Sequence, residues 1–220
     1  MRVALGYCYR QMSPSAFIKD TINAFLSVPD IEYLLDIPYR HDIHTARNQM
    51  VKKFLATDAD ALLNVDTDIL YTASDVQRLI DWNVPMVAGA YSSEFNLLDT
   101  CIRGEDGMPI QIGLPAKPTE VLFTGAGFTL IKREVFEKIG EGWYDLYAEE
   151  DGFKHGEDWS FCVRVRQAGY AIILDPAVRL GHLKYLTLTP NAPLKVVQED
   201  DEYMGRESPA DPGSPGAASP

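Results

Sequence analysis

The sequence predicts an α/β domain with a mixed, mostly parallel sheet and helices on both faces. Two observations carry this. Short apolar runs alternate with segments of helical apolar spacing through roughly the first ninety residues, the pattern of a parallel sheet built from β-α-β units. The later half is richer in strand-like runs, which predicts a mixed rather than wholly parallel sheet.

The elements follow in order. Residues 3–7 read as a first core strand. Ser13-Pro14 offers an N-cap and a proline at the first helical position, and Phe17, Ile18, Ile22, Phe25 and Leu26 follow at helical spacing. Pro29 ends that helix, and residues 31–37 read as a second strand. After a loop, Thr45 is the expected cap of a helix whose apolar face is Ala46, Met50, Val51, Phe54 and Leu55. Ala61-Leu62-Leu63-Asn64-Val65 is a third strand, and Asp66-Thr67-Asp68 ends it. Thr72 with Asp75 predicts a capping box and a helix burying Val76, Leu79 and Ile80. Residues 84–90 read as a strand, while 91–119 are polar with Gly and Pro and yield no assignment. Residues 121–123, Gly125-Ala126-Gly127 and 128–131 read as strand, tight turn and strand. Helices are expected over 133–139 and 157–168, closed by Gly140 and Gly169. Strands over 170–174 and 178–180 then lead into Gly181-His182.

At 220 residues the chain suits one domain, expected over residues 1–198. The Ser-Pro-Gly-rich, acidic stretch 199–220 has little to bury and reads as a disordered tail. No apolar run approaches the ~20 residues of a membrane helix. A leader sequence is not expected, because Arg2 is followed at once by a core strand. The three cysteines are widely spaced, which suits reduced thiols and a cytoplasmic location. The net charge of −12 argues against broad electrostatic binding of nucleic acid.

Four motifs carry candidate chemistry. Asp66-x-Asp68 sits at a strand end, where such sheets bind ligands. It reads equally as a solvated turn or as hard oxygen ligands for Mg²⁺ or Mn²⁺ on a diphosphate. Arg47, in Ala46-Arg47-Asn48, is expected in the first turn of its helix, where a cation is disfavoured unless an anion binds there; pairing with Asp42 is the structural alternative. In Gly156-Glu157-Asp158, acids suit a helix start for structural reasons alone, and Asp158 is also a candidate general base. His182 alone reads as structural.

The ordered set is more specific than any member. Ala-Arg-Asn, Asp-x-Asp, Gly-Ala-Gly-Phe with Arg-x-x-Phe-x-x-Ile-Gly, Gly-Glu-Asp-x-x-Phe and a late Gly-His appear in that order. This resembles the GT-A (Rossmann-like) glycosyltransferases, in particular the inverting family-2 group and its phage and bacterial members. The resemblance runs from Val3 to about Lys184. It implies Asp66, Asp68 and His182 as ligands of Mn²⁺ or Mg²⁺. It implies Tyr7, Arg47, Asp66 and Asp68 as contacts to a nucleotide-sugar donor, a UDP-sugar first. Asp158 would be the catalytic base, and Gly125, Gly127 and Glu157 would line the acceptor side. The acceptor stays open among protein, glycan and modified nucleobase, and the location becomes host cytoplasm if the chain is phage-encoded. The second strand, ending Asp36-Ile37-Pro38, lacks an Asp placed for uracil, and no Gln-x-x-Arg-Trp motif of processive members occurs.

The resulting expectation is a metal-dependent, inverting transfer of sugar to an acceptor hydroxyl. Residues 183–193 are expected to fold over the donor. Two other readings share these residues. One is an inactive nucleotide-sugar or glycan-binding module. The other is an aspartate-nucleophile phosphatase, whose motif normally follows the first strand and carries Thr or Val where Leu70 stands.

Overall fold

A computed structural model of the chain describes residues 1–10, 13–92, 99–103, 109–111, 117–148, 155–187 and 195–197. The chain divides into two units, Met1–His182 and Leu183–Pro220. The expected boundary at 198/199 falls inside the second unit, whose described pairing is β12 (Tyr185–Thr187) with β13 (Lys195–Val197). The tail and most of the expected donor-covering segment lie outside the described residues. No described helix is long and apolar enough to cross a membrane.

Three β-α steps build the first half. β1 (Val3–Tyr9) is buried on both faces over most of its length, and α1 (Ser15–Ser27) returns the chain to β2 (Ile31–Pro38). α2 (Ile43–Leu55) leads to the wholly buried β3 (Ala61–Val65). A two-residue β4 (Ile69–Leu70) precedes α3 (Ala73–Trp82), which starts with the expected Thr72/Asp75 capping box. Asn83 ends it in the left-handed region at φ 48°. β5 (Met86–Ala90), β6 (Asp99–Arg103), β7 (Pro109–Gln111) and β8 (Thr119–Val121) follow. Then come β9 (Phe128–Lys132), α4 (Arg133–Ile139), α5 (Glu157–Gln167), β10 (Ile172–Arg179) and β11 (Gly181–His182).

The main sheet has seven strands in the order β2-β1-β3-β9-β5-β10-β8. Five of them, β2, β1, β3, β5 and β10, share one direction; β9 and β8 oppose it. The expected strand-turn-strand over 121–131 is therefore not a hairpin. β8 lies at the sheet edge on β10, whereas β9 is inserted between β3 and β5. The residues between them carry the chain from edge to centre. The two expected strands around Pro176 are one, since Pro176 sits where β10 has no ladder partner between Leu174 and Arg179.

Two apolar layers flank the sheet. Phe17 and Ala24 of α1 and Val76, Leu79 and Ile80 of α3 pack on one face. Met50, Val51 and Phe54 of α2, Val135 and Phe136 of α4 and Phe161 and Val165 of α5 pack on the other. Arg133 fastens the second layer. Its guanidinium donates to the carbonyls of Phe54, Leu55, Thr57 and Ala59, satisfying the end of α2, and lies 4.7 Å from the Phe54 ring.

Asp175 fastens the first. It is fully buried and accepts from Arg78 Nε at 2.6 Å, Trp82 Nε1 at 2.7 Å and the Ala177 amide at 3.0 Å. Burial pushes its carboxyl up, but these hydrogen bonds prevail and hold it below the ordinary range. Asp175→Ala leaves three donors without their acceptor and is expected to cost about 2–3 kcal/mol. That is less than a fully buried pair, because Arg78 remains half in water. The contribution of a depressed carboxyl is present above its unfolded value and lost as pH falls through the folded one. In urea unfolding, the gap between wild type and variant is expected to be constant from neutrality to about pH 4 and to shrink below it.

Candidate active site

The antiparallel insertion of β9 is what assembles the site. Its last pair, Val65 with Phe128, sets Asp66 beside Gly127, and the Asp66 amide donates to the Gly127 carbonyl at 2.9 Å. Asn64, buried in β3, donates to the Ala126 carbonyl at 2.6 Å and pins the same turn. A Cβ on Gly127 would lie 2.6 Å from the Tyr91 hydroxyl and 3.2 Å from Asp66 Oδ2. Only glycine lets the turn approach the carboxylate this closely.

Asp66 and Asp68 diverge. Ile69 donates back to the Asp66 carbonyl, closing a turn that sends the two side chains to different partners. Asp66 Oδ1 accepts from Arg47 Nη2 at 2.9 Å. Asp68 Oδ2 lies 2.9 Å from His182 Nε2. β11 pairs with β4, His182 opposite Ile69, and this brings the late Gly-His to the Asp-x-Asp. A Cβ on Gly181 would meet Leu70 Cβ at 3.2 Å, so the glycine lets the two short strands close.

The histidine's orientation is informative. His182 Nδ1 is 2.7 Å from the Ser92 carbonyl, which can only accept, so Nδ1 carries the proton there. Nε2 then faces a carboxylate oxygen, and a positive species belongs between them: a proton or a metal ion. A second partner that fixes the far ring nitrogen is the usual support of a ligating histidine. The 2.9 Å separation also suits neighbouring donors on an octahedral cation with bonds of about 2.1 Å. One carboxylate oxygen and one imidazole therefore fit Mn²⁺ or Mg²⁺ that takes its other ligands from water and phosphate. The expected third ligand is placed otherwise. Asp66 is turned to Arg47, and no group of three His, Cys, Asp or Glu side chains converges as a metal cage among the described residues.

Arg47 occupies the middle of the site. Its side chain is 6% exposed and sits between Asp66 and Glu157, with Nε 3.4 Å from Glu157 Oε1. Its guanidinium lies over the Tyr144 ring at 5.8 Å, and that ring stacks on Phe161 at 4.5 Å. Arg47 does not lie at a helix start. α2 begins at Ile43, with Asp42 rather than Thr45 at the N-cap position, so Arg47 stands beyond the first turn and the helix-dipole penalty does not apply. What holds it is the pair of carboxylates. Arg47 Nη1 and the Tyr144 hydroxyl are buried without a hydrogen-bond partner among the described residues.

Glu157 and Asp158 open α5 after Gly156, and α5 reaches the cluster with its N-terminus. Asp158 Oδ1 accepts from the Trp159 amide at 2.7 Å. Burial, with Glu157 nearby, pushes its carboxyl up to about 6 against the pull of Arg47. Asp66 is also raised, by burial above all and by Asp68 and Glu157, again against Arg47. Burial pushes the Cys8 thiol up to about 12, which makes it inert.

Of the expected residues, Arg47, Asp66, Asp68, Gly127, Glu157, Asp158 and His182 thus belong to one neighbourhood, and Gly125 precedes Gly127 in the same turn. Tyr7 is set apart: its ring packs on Phe17 at 5.2 Å and near Tyr9, on the α1 face of the sheet. Tyr39 is a better-placed aromatic. It feels the charges of Asp66 and Arg47 and lies beneath the Arg10 guanidinium at 5.5 Å. Tyr91 was hidden in the unassigned stretch. Its hydroxyl accepts from the Gly127 amide at 2.9 Å and its ring meets His182 edge-on at 5.4 Å. Asn48 completes the site's base, donating to Asp145 and accepting from the Tyr144 amide. The visible signal for Asn64 was a polar residue inside an apolar strand.

No family model and no curated protein matches the chain. Solved structures do. A197 from STIV matches with a TM-score of 0.60 at 21% identity, over 90% of this chain and 95% of that one. GalNAc-T7, solved with UDP, GalNAc and Mn²⁺, matches with a TM-score of 0.55 at 14% identity over 82% of this chain. The match spans 43% of the GalNAc-T7 chain, less than half of it. At these identities the likeness is one of architecture, and the architecture is plain: this chain has the GT-A glycosyltransferase fold.

Proposed function

We propose that the chain transfers a sugar from a nucleotide-sugar donor to an acceptor hydroxyl in a single, inverting displacement that depends on a divalent cation. The observation that carries this is one polar neighbourhood in which Arg47 bridges Glu157 and Asp66, with Asp158 beside Glu157 and the Asp68–His182 pair two residues beyond Asp66. It joins a carboxylate tuned toward neutrality to a pair of side chains that suits a cation. Asp68 and His182 would hold the ion, with Asp66 beside them. Bound there, Mn²⁺ or Mg²⁺ supplies Lewis-acid stabilisation of a leaving diphosphate.

The chain's own groups do the rest. Asp158 accepts the proton of the attacking hydroxyl, and its raised affinity for protons suits that task near neutral pH. Arg47 fixes Asp66 against Glu157 and offers its unpartnered Nη1 to a phosphate oxygen. The Gly125–Gly127 turn, held by Asn64 and Tyr91, would line the acceptor side. A UDP-sugar is the first donor to try. The fold partner GalNAc-T7 was solved with UDP and Mn²⁺. The phosphatase reading is disfavoured by Asp66, whose carboxylate is held by Arg47 and raised by burial rather than poised as a nucleophile.

Calorimetry of UDP and other nucleoside diphosphates, with and without Mn²⁺, tests the reading. Binding is expected to need the cation in wild type. Asp68→Ala is expected to weaken it by at least about tenfold, the loss of one ligand. Equal affinity in the two proteins, or cation-independent binding, contradicts the assignment.

A further inference from the structure

α1 is apolar on two sides. Phe17, Thr21 and Ala24 face the core, as one stripe must. A second stripe, Ile18, Ile22, Phe25 and Leu26, runs the length of the helix at i, i+4, i+7 and i+8 and stays in water at 40, 52, 39 and 76% exposure. Lys19, Asp20 and Asn23 occupy what remains. A surface helix ordinarily shows one apolar stripe, and a helix apolar nearly all round is a buried one. Leu34 adds to the surface. It is 42% exposed on the edge strand β2 and alternates with Tyr33 and Leu35, which pack on the α2 side, so it points to the α1 side of the sheet.

We infer that this face is an interface between two copies of the chain, joined about a two-fold axis that sets α1 against α1. Area and charge both point to a second copy. Large apolar side chains carry ~150–250 Å² each, so the exposed fractions of these five leave roughly 500 Å² of apolar surface. A two-fold contact doubles it to about 1,000 Å² from these side chains alone, the lower bound of a specific interface.

Charge excludes the main competitor. α1 carries one lysine and one aspartate, whereas the whole chain has a net charge of −12. A lipid surface is anionic, and helices that dock on it carry Lys and Arg beside the apolar stripe. This helix has no such fringe. Two identical acidic chains can meet only where each is neutral, and α1 is such a place. Glu32 and Asp36, two residues either side of Leu34 and so on its side of the edge strand, put acid at the margin of this face and oppose strand-to-strand pairing, which leaves the helix stripe as the contact.

Sedimentation equilibrium up to about 100 µM chain tests this, at about 50 mM and about 500 mM salt. The expected result is a reversible dimer that tightens with salt, because screening removes the repulsion between acidic bodies while leaving apolar burial intact. Ile22→Glu with Leu26→Glu is expected to weaken it at least about 100-fold, since each charge enters the contact twice. Asn23→Glu, on the polar side of α1, is expected to leave it unchanged, and circular dichroism of all variants checks folding. Should the double variant misfold, hydrogen exchange of wild type decides: protection of α1 amides is expected to rise with chain concentration. Flotation with vesicles of phosphatidylcholine and phosphatidylglycerol is expected to recover none of the chain. A monomer at 100 µM in high salt, a dimer that survives the double variant, or vesicle capture through these residues overturns the proposal.

Discussion

Asp158→Asn is expected to abolish most transfer while making the protein more stable. The first effect follows from the proposed role, since general-base help contributes typically about 10²–10⁴-fold. Donor binding should survive, because the side chains proposed to hold the cation are Asp68 and His182 rather than Asp158. The second effect follows from the pKa. Asp158 is raised to about 6 by burial and by Glu157, so at pH 7 the folded protein holds a charge it would rather not hold. A carboxyl whose folded value is raised above its unfolded value lowers stability progressively as pH climbs between the two. Each unit is worth about 1.4 kcal/mol, so relief of the penalty raises stability at pH 7 by up to about 3 kcal/mol. Thermal unfolding should show the variant ahead of wild type at pH 7 and level with it below about pH 4. The rate of the wild type should climb through about pH 6 to a plateau, as the base ionises. A purely structural Asp158 predicts the gain in stability but not the pH profile of the rate.

Arg47→Ala is expected to be the most destabilising single change in the site. It strands Asp66 and Glu157, with Asp66 already raised by burial, and empties the space above Tyr144. Removal of one partner from a buried ion pair costs about 3–5 kcal/mol. Arg47→Lys should recover little of this, because one ammonium cannot reach two carboxylates with the fork of a guanidinium. The signature is in the pH dependence. Without Arg47 the Asp66 carboxyl rises further, so the variant gains more stability than the wild type as pH is lowered from 7 toward 5. Urea midpoints across that range, with circular dichroism as the probe, check it.

What could be read from the sequence was local. The Thr72/Asp75 box starts α3 because cap and partner are three residues apart and need nothing else. β3 was legible as an apolar run broken only by Asn64, and every one of its residues is buried. The misreadings were non-local. Residues 121–131 look like a hairpin, yet their two strands are separated in the sheet by β5 and β10, a pairing that no neighbouring residue encodes. The same insertion puts Gly127 on Asp66, so the heart of the site rests on a contact that sequence spacing does not show. Thr45 looks like a cap just ahead of Arg47, whereas Asp42 takes the N-cap position. Tyr91 stayed hidden because its surroundings carry no periodicity. His182 became a site residue through family likeness alone, and the β4–β11 pairing supplies the physical reason for its position.

Turnover of the donor tests the central claim most directly. Release of nucleotide from a panel of nucleotide sugars would be followed in Mn²⁺, Mg²⁺ and chelator, for wild type and Asp68→Ala side by side. The account predicts cation-dependent release from at least one donor, lost in chelator and in Asp68→Ala, and faster with the right acceptor present. Release that persists unchanged in chelator or in Asp68→Ala would contradict it. So would tight, cation-dependent binding of a donor with no turnover under any acceptor, the behaviour of a binding module built on the same fold.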